Sequence, residues 1–157
     1  SRTAVLIAKA GAQYRKVDNR DSETAPTFEI GYIQRVNEMF RVRANLAYDI
    51  NDYGTSFLGD SFDDNQSFRI SLAGDYQLSE QLYFTGGINY VANEYSGDNR
   101  TTEEVDVFNL SIGATYKFMH NLAANINYNY TDSSDAGDTL GRDYDRNRVQ
   151  AGLTYTF

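Results

Sequence analysis

Residues 40–50 read Phe40-Arg41-Val42-Arg43-Ala44-Asn45-Leu46-Ala47-Tyr48-Asp49-Ile50, and their alternation decides the fold. Even positions carry Phe, Val, Ala, Leu, Tyr and Ile; odd positions carry Arg, Arg, Asn, Ala and Asp. A helix would space its apolar residues three and four apart, whereas a strand sends successive side chains to opposite faces. This stretch is a strand with two unlike faces.

The same beat runs along the chain. Phe68, Ile70, Leu72, Gly74, Tyr76 and Leu78 oppose Arg69, Ser71, Ala73, Asp75 and Gln77. Phe108, Leu110, Ile112, Ala114, Tyr116 and Phe118 oppose Asn109, Ser111, Gly113, Thr115 and Lys117. Leu82–Tyr90, Leu122–Tyr130 and Val149–Phe157 alternate in the same way. Two strands are less clean: Val5 and Ile7 break the contrast in Thr3–Tyr14, and Gln34 interrupts the apolar side of Thr27–Val36. The pattern predicts strands over about 3–15, 27–36, 40–51, 66–78, 82–94, 105–118, 122–131 and 147–157, in a single domain spanning 1–157. None of the apolar faces carries a charge.

Short links (Asn37-Glu38-Met39, Ser79-Glu80-Gln81, Met119-His120-Asn121) alternate with long polar ones (Val17–Pro26, Asp52–Asp64, Ser96–Glu103, Asp132–Arg146). Consecutive antiparallel strands joined this way form an up-and-down meander with its long links at one end.

Composition narrows the function classes. The 157 residues contain no Cys, no Trp, one His and one Pro, with a net charge of -8. Without Cys there is no disulfide framework, thiolate nucleophile or iron–sulfur site. An acidic balance argues against a nucleic-acid partner, whose phosphates call for a basic face. With a mean hydropathy of -0.57, the chain holds no run of roughly 20 apolar residues for a membrane helix. It opens on Ser1-Arg2-Thr3 without an initiator Met or a signal segment, and reads as a mature product or a piece of something longer.

Alternation alone fits a soluble sandwich or barrel, with apolar residues inside, or a membrane barrel, with apolar residues outside. Three features favour the second. The polar faces are rich in Gly, Ala, Ser, Thr and Asn, which suit an interior better than a water-facing surface. Most strands run about 10 residues, the span a tilted strand needs to cross hydrocarbon. Aromatics gather near both strand ends: Phe40, Phe84, Tyr116, Phe118, Tyr155 and Phe157 by the short turns, and Tyr14, Phe28, Tyr48, Phe68, Tyr90, Phe108, Tyr128 and Tyr130 toward the long links. Such girdles sit at the two membrane interfaces.

The chain ends Leu153-Thr154-Tyr155-Thr156-Phe157, an alternating strand with a terminal aromatic. It resembles the last strand of Gram-negative outer-membrane proteins. That resemblance implies that Tyr155 and Phe157 are an assembly signal read by the barrel-assembly machinery. Gly141-Arg142-Asp143-Tyr144-Asp145-Arg146-Asn147-Arg148-Val149, with a weaker echo in Asn51-Asp52-Tyr53-Gly54, is similar to the β-barrel porin families associated with exopolysaccharide loci.

Charges sort by place. Asp18, Asp21, Glu23, Asp52, Asp60, Asp63, Asp64, Asp98, Glu103, Glu104, Asp132, Asp135, Asp138, Asp143 and Asp145 lie in or beside the long links, where the bases are Arg20, Arg100, Arg142 and Arg146. The acidic links read as solvated surface loops or as a holder for divalent cations, without the ligand register of an EF-hand. The polar faces carry Lys9, Arg15, Arg35, Arg41, Arg43, Arg69, Lys117 and Arg148, against Glu29, Asp49 and Asp75. These residues form a lumen charge network, either packed into a narrow interior or lining an anion-favouring passage.

No catalytic constellation appears. His120 lies in a short turn, away from the long links, so a rim Ser-His-acid triad cannot be assembled there. No Gly-rich phosphate loop, nucleophile elbow or paired metal ligands are present, and no cofactor is implied. The expectation is an all-β, antiparallel, up-and-down transmembrane β-barrel with eight strands in this chain, either closed on itself by pairing Thr3–Tyr14 with Arg148–Phe157 or completed to a wider barrel by another segment. It sits in the outer-membrane bilayer, short turns periplasmic and acidic links extracellular. Three functions stay open: a non-enzymatic structural or surface barrel with a filled lumen, a porin or export channel of which these strands are all or the C-terminal part, and a barrel enzyme or adhesin acting through its loops.

Overall fold

The computed structural model describes residues 3–15, 23–51, 56–57, 60–61, 64–96, 103–135 and 143–156. Its strands are β1 (Thr3–Arg15), β2 (Glu23–Arg35), β3 (Phe40–Asn51), β4 (Ser56–Phe57), β5 (Asp60–Ser61), β6 (Asp64–Gln77), β7 (Leu82–Ser96), β8 (Glu103–Met119), β9 (Leu122–Asp135) and β10 (Tyr144–Tyr155). The eight long strands lie side by side in chain order, each antiparallel to the next, while β4 pairs with β5 inside the β3–β6 link. Several reach further toward the long links than alternation marks: β2 begins at Glu23, β9 runs to Asp135 and β10 begins at Tyr144. Main-chain pairing outlasts the apolar side chains because each strand's neighbour continues with it, as Asp106↔Ser134 and Asp132↔Asp145 show.

The sheet does not close. β1 pairs only with β2 and β10 only with β9, leaving two free edges. The described side chains of both edge strands are exposed almost throughout. The expected closed eight-stranded transmembrane barrel is thus corrected to an open eight-stranded antiparallel sheet. Alternation dictates which face a side chain takes. Closure depends on strand number, tilt and shear, and a two-residue period encodes none of these.

Polar side chains build the short turns. Asn37 Oδ1 accepts from the backbone N–H groups of Met39 (2.9 Å) and Phe40 (2.7 Å). Ser79 Oγ does the same for Gln81 (3.2 Å) and Leu82 (3.0 Å). Asn and Ser suit these places because their short side chains satisfy the turn's own backbone. Each turn is also fastened to a neighbouring strand: Gln77 N donates to Met39 O (2.7 Å), Lys117 N to Gln81 O (2.8 Å) and Thr156 N to Asn121 O (2.9 Å).

Burial is inverted relative to a water-soluble fold. Among the described residues the only buried large apolar side chain is Val105, and it lies on the polar face. The apolar face is uncovered across the sheet, with Leu6, Ile70, Leu72, Ile88, Ile112, Ile126, Val149 and Leu153 all exposed. A sheet must cover its apolar face with another layer to be stable in water, and no described segment supplies one here. Aromatics on this face pair across strands: Phe28 stacks on Tyr48 (centroids 5.7 Å apart), and Phe40 meets Tyr76 edge-on (6.2 Å). Phenolic hydroxyls on this face find amides, Tyr48 donating to Gln66 (2.9 Å) and Tyr32 to Gln34 (2.9 Å). Gln34, the interruption in the β2 stripe, is there as an acceptor.

Replacing Leu72 or Leu110 with Arg places a charge at the middle of this face. Denaturant titration of protein folded into lipid vesicles should show a loss of about 2–4 kcal/mol for each. Unchanged stability would remove the assigned facing.

Candidate functional site: the polar face

The register lays the polar residues out in rows across the sheet. One row near the short turns runs Thr3, Arg35, Arg41, Asp75, Thr85, Gly113, Asn127, Gln150. A row nearer the long links runs Lys9, Glu29, Ala47, Arg69, Val91, Val107, Ser133, Tyr144. Charge is unevenly spread along them. From β1 to β6 the face carries Lys9, Glu29, Arg35, Arg41, Arg43, Asp49, Arg69 and Asp75. Across β7 to β9 its middle is amide and hydroxyl: Asn89, Asn93, Asn109, Ser111, Asn125, Asn127, Asn129 and Thr131.

Among the described residues three ion pairs form in the charged half. Lys9 Nζ lies 2.8 Å from Glu29, its direct cross-strand partner. Arg43 Nη2 donates to Asp75 Oδ1 (3.1 Å) and lies 3.0 Å from Oδ2. Arg69 donates to Asp49. These side chains are a third to two-thirds exposed, from 32% for Asp49 to 66% for Lys9, so each pair adds at most about 1 kcal/mol. They order the wall more than they stabilise it.

In the uncharged half, the Thr131 hydroxyl donates to Asn109 Oδ1 (2.9 Å), Ser67 to Asn93 Oδ1 (2.7 Å) and Ser111 to the Gly87 carbonyl (3.3 Å). Glycine at position 113 is required by close approach, since a Cβ there would lie 2.7 Å from Thr85 Oγ1 and against Asn127. Toward the long links Ser67, Val105, Thr131, Ser133 and Asp135 are buried, and Asp135 N donates to Asp143 Oδ1 (2.6 Å). Sequence reasoning missed this buried cluster, because alternation reports a residue's face and not what lies over it. It also missed the division into charged and uncharged halves, although the polar-face residues of β7–β9 already spell it out.

Of the residues expected to form a charge network, the structure joins Glu29 to Lys9, Arg43 to Asp75 and Arg69 to Asp49. Lys117 instead sits over the Tyr83 ring, 4.5 Å from its centroid and 3.3 Å from its hydroxyl. Arg35, Arg41 and Arg148 are exposed and form no ion pair with described residues. Tyr155 is exposed on the apolar face beside Leu122. Phe157, Asn51-Asp52-Tyr53-Gly54 beyond Asn51, and the link residues Asp18, Asp21, Asp52, Asp63, Asp98 and Asp138 lie outside the described residues. Among the described residues no three potential metal ligands come together.

A sheet with one long uncovered apolar face opposed by a polar face has the pattern of strand-built outer-membrane proteins. The comparisons place it further: the outer membrane protein beta-barrel domain family matches residues 3–157, and the chain belongs to that family. The family is structural rather than catalytic, and the chain is a non-enzymatic outer-membrane protein. This match is to the general family, coarser than the exopolysaccharide-locus branch that Gly141–Val149 resembles. No curated protein sequence matches the chain.

Solved structures of OmpT, an outer-membrane protein of Vibrio cholerae, share the strand arrangement. The in-vitro folded form is 18% identical with a TM-score of 0.59, over 97% of this chain and 52% of that one. Its trimer form gives 18% and 0.60, over 100% and 49%, and a loop L8 deletion mutant gives 16% and 0.57, over 99% and 52%. The chain spans about half the length of these structures.

A double-mutant cycle on Arg43 and Asp75, each changed to Ala, should give a coupling of about 0.2–1 kcal/mol in detergent-folded protein. The coupling should shrink as salt is raised from 0.05 to 0.5 M on the order of the screening expected for exposed charges. A salt-independent coupling above that range would mean the pair is buried.

Proposed function

We propose that this chain forms a wall of a channel-type outer-membrane barrel. Its polar face is turned to water, and further strands complete the wall along β1 and β10. The observation that carries this reading is the pair of free edges. In hydrocarbon each unpaired backbone N–H or C=O costs several kcal/mol, on the order of a lost hydrogen bond with no water to replace it, so open edges do not persist there. The packed-lumen alternative drew on eight-strand closure, and the open sheet removes that basis. The half-exposed ion pairs of β1–β6 are instead consistent with a face bathed in water.

In this reading the short turns face the periplasm and the acidic links the exterior, the usual arrangement of outer-membrane barrels. Arg35, Arg41, Arg43, Arg69, Lys117 and Arg148, with Glu29, Asp49 and Asp75, line the aqueous side. Tyr155 and Phe157 present the terminal strand to the assembly machinery. One observation favours a constricted passage over a wide one: Ser67, Val105, Thr131, Ser133 and Asp135 are buried on the polar face toward the long links.

Reconstitution into planar bilayers tests the proposal. Discrete conductance steps are expected, with a reversal potential in a salt gradient that favours chloride because Arg35, Arg41 and Arg148 have no paired acid among the described residues. Changing all three to Gln should move that potential toward zero. Cation preference, or insertion without steps, would return the chain to the structural-barrel reading.

A further inference from the structure

Two cations that form no ion pair with a described residue face each other where β2 turns into β3. Arg35 and Arg41 are direct cross-strand partners on the polar face. Their Cβ atoms are therefore about 5 Å apart, a spacing at which like charges repel. Neither donates a hydrogen bond to a described residue or forms an ion pair with one. The nearest carboxylate in register, Asp75 opposite Arg41, is already engaged, its Oδ1 accepting from Arg43 Nη2 (3.1 Å) and its Oδ2 3.0 Å away.

The two arginines line a depression of about 260 Å³ with Glu38, Asp75, Gln77, Tyr83 and Thr85, together with the apolar-face residues Phe40, Tyr76 and Phe84. Lys117 stands beside it, its Nζ 3.3 Å from the Tyr83 hydroxyl. Glu38 in the turn is the one carboxylate there not held in an ion pair. The Tyr83 hydroxyl already donates to the Glu80 carbonyl (3.1 Å), so the Thr85 hydroxyl and the Asn37 and Gln77 amides are the neutral donors around two guanidinium forks that lack acceptors among the described residues.

We propose that Arg35 and Arg41 bind a water-borne phosphate group at the short-turn end of the polar face. Each guanidinium presents paired N–H donors that match two oxygens of an oxyanion. A carboxylate has two oxygens and satisfies one fork, whereas a phosphate has enough for both. Binding would also cancel the repulsion between the two cations. The inference rests on the polar face being the water side, as in the proposed function, but not on the barrel conducting.

The test is titration of inorganic phosphate onto the purified protein in a neutral maltoside detergent, read by calorimetry and by the unfolding midpoint. Saturable binding is expected, competed by sulfate but not by chloride at equal ionic strength. R35Q and R41Q should each weaken it about tenfold, in line with the loss of a charge-assisted contact. The double variant should lose both the heat and the phosphate-dependent rise in midpoint. E38Q should tighten binding, and R100Q, in the β7–β8 link, should leave it unchanged. Should R35Q/R41Q fail to fold, R35K/R41K serves instead, keeping charge but losing the forks, and should still bind more weakly. Absence of saturable binding, or variants that bind like the wild type, overturns the proposal. So does a response that appears only with phosphatidylglycerol vesicles and never with free phosphate. Conductance is not part of this readout, so a channel that ignores phosphate and a phosphate site without a channel are told apart.

Discussion

Each backbone N–H and C=O of an extended strand needs a hydrogen-bond partner, and the ladder joining the eight long strands supplies it and sets the terms for the rest of the molecule. Six of them, β2, β3, β6, β7, β8 and β9, have a neighbour on each side, with β2 and β3 paired from Phe28↔Tyr48 to Arg35↔Arg41 and a register shift between Lys117 and Met119 in β8. Once the backbone is satisfied edge to edge, the two faces are free to specialise. One becomes a continuous apolar stripe and the other collects every ion pair described. The same ladder explains why the edges matter more than any single side chain: β1 and β10 are where that satisfaction stops.

The polar face shows how a wall can be charged without being packed. Its ion pairs are modest individually, and small neighbours such as Gly31, Ala47 and Ala73 leave the long side chains room to lie across adjacent strands. The uncharged half works differently, through short hydroxyl-to-amide bonds between neighbouring strands and glycine where side chains crowd.

Much of this was legible from period alone. Which residues share a face, where the short turns fall and which strands are neighbours all follow from alternation and link length. Partner choice did not. Arg41 faces Asp75 in register, yet Asp75 is held by Arg43, one pleat away, because sheet twist brings diagonal neighbours within reach of long side chains. Nor did local irregularities explain themselves. Val5 and Ile7 fall beside Ile33 and Gly31 on the polar face of an edge strand, and remain exposed there. Closure was the largest misreading, because strand count and shear belong to the whole sheet and leave no mark on any one segment.

The fastening of the short turns carries a mechanical consequence. Met39, Gln81 and Asn121 each lend a carbonyl to the strand beyond their own hairpin, which ties β3 through β10 into a continuous band at that end. The opposite end is joined by long links instead. A lateral load on one strand at the short-turn end is therefore passed from hairpin to hairpin rather than borne by a single turn.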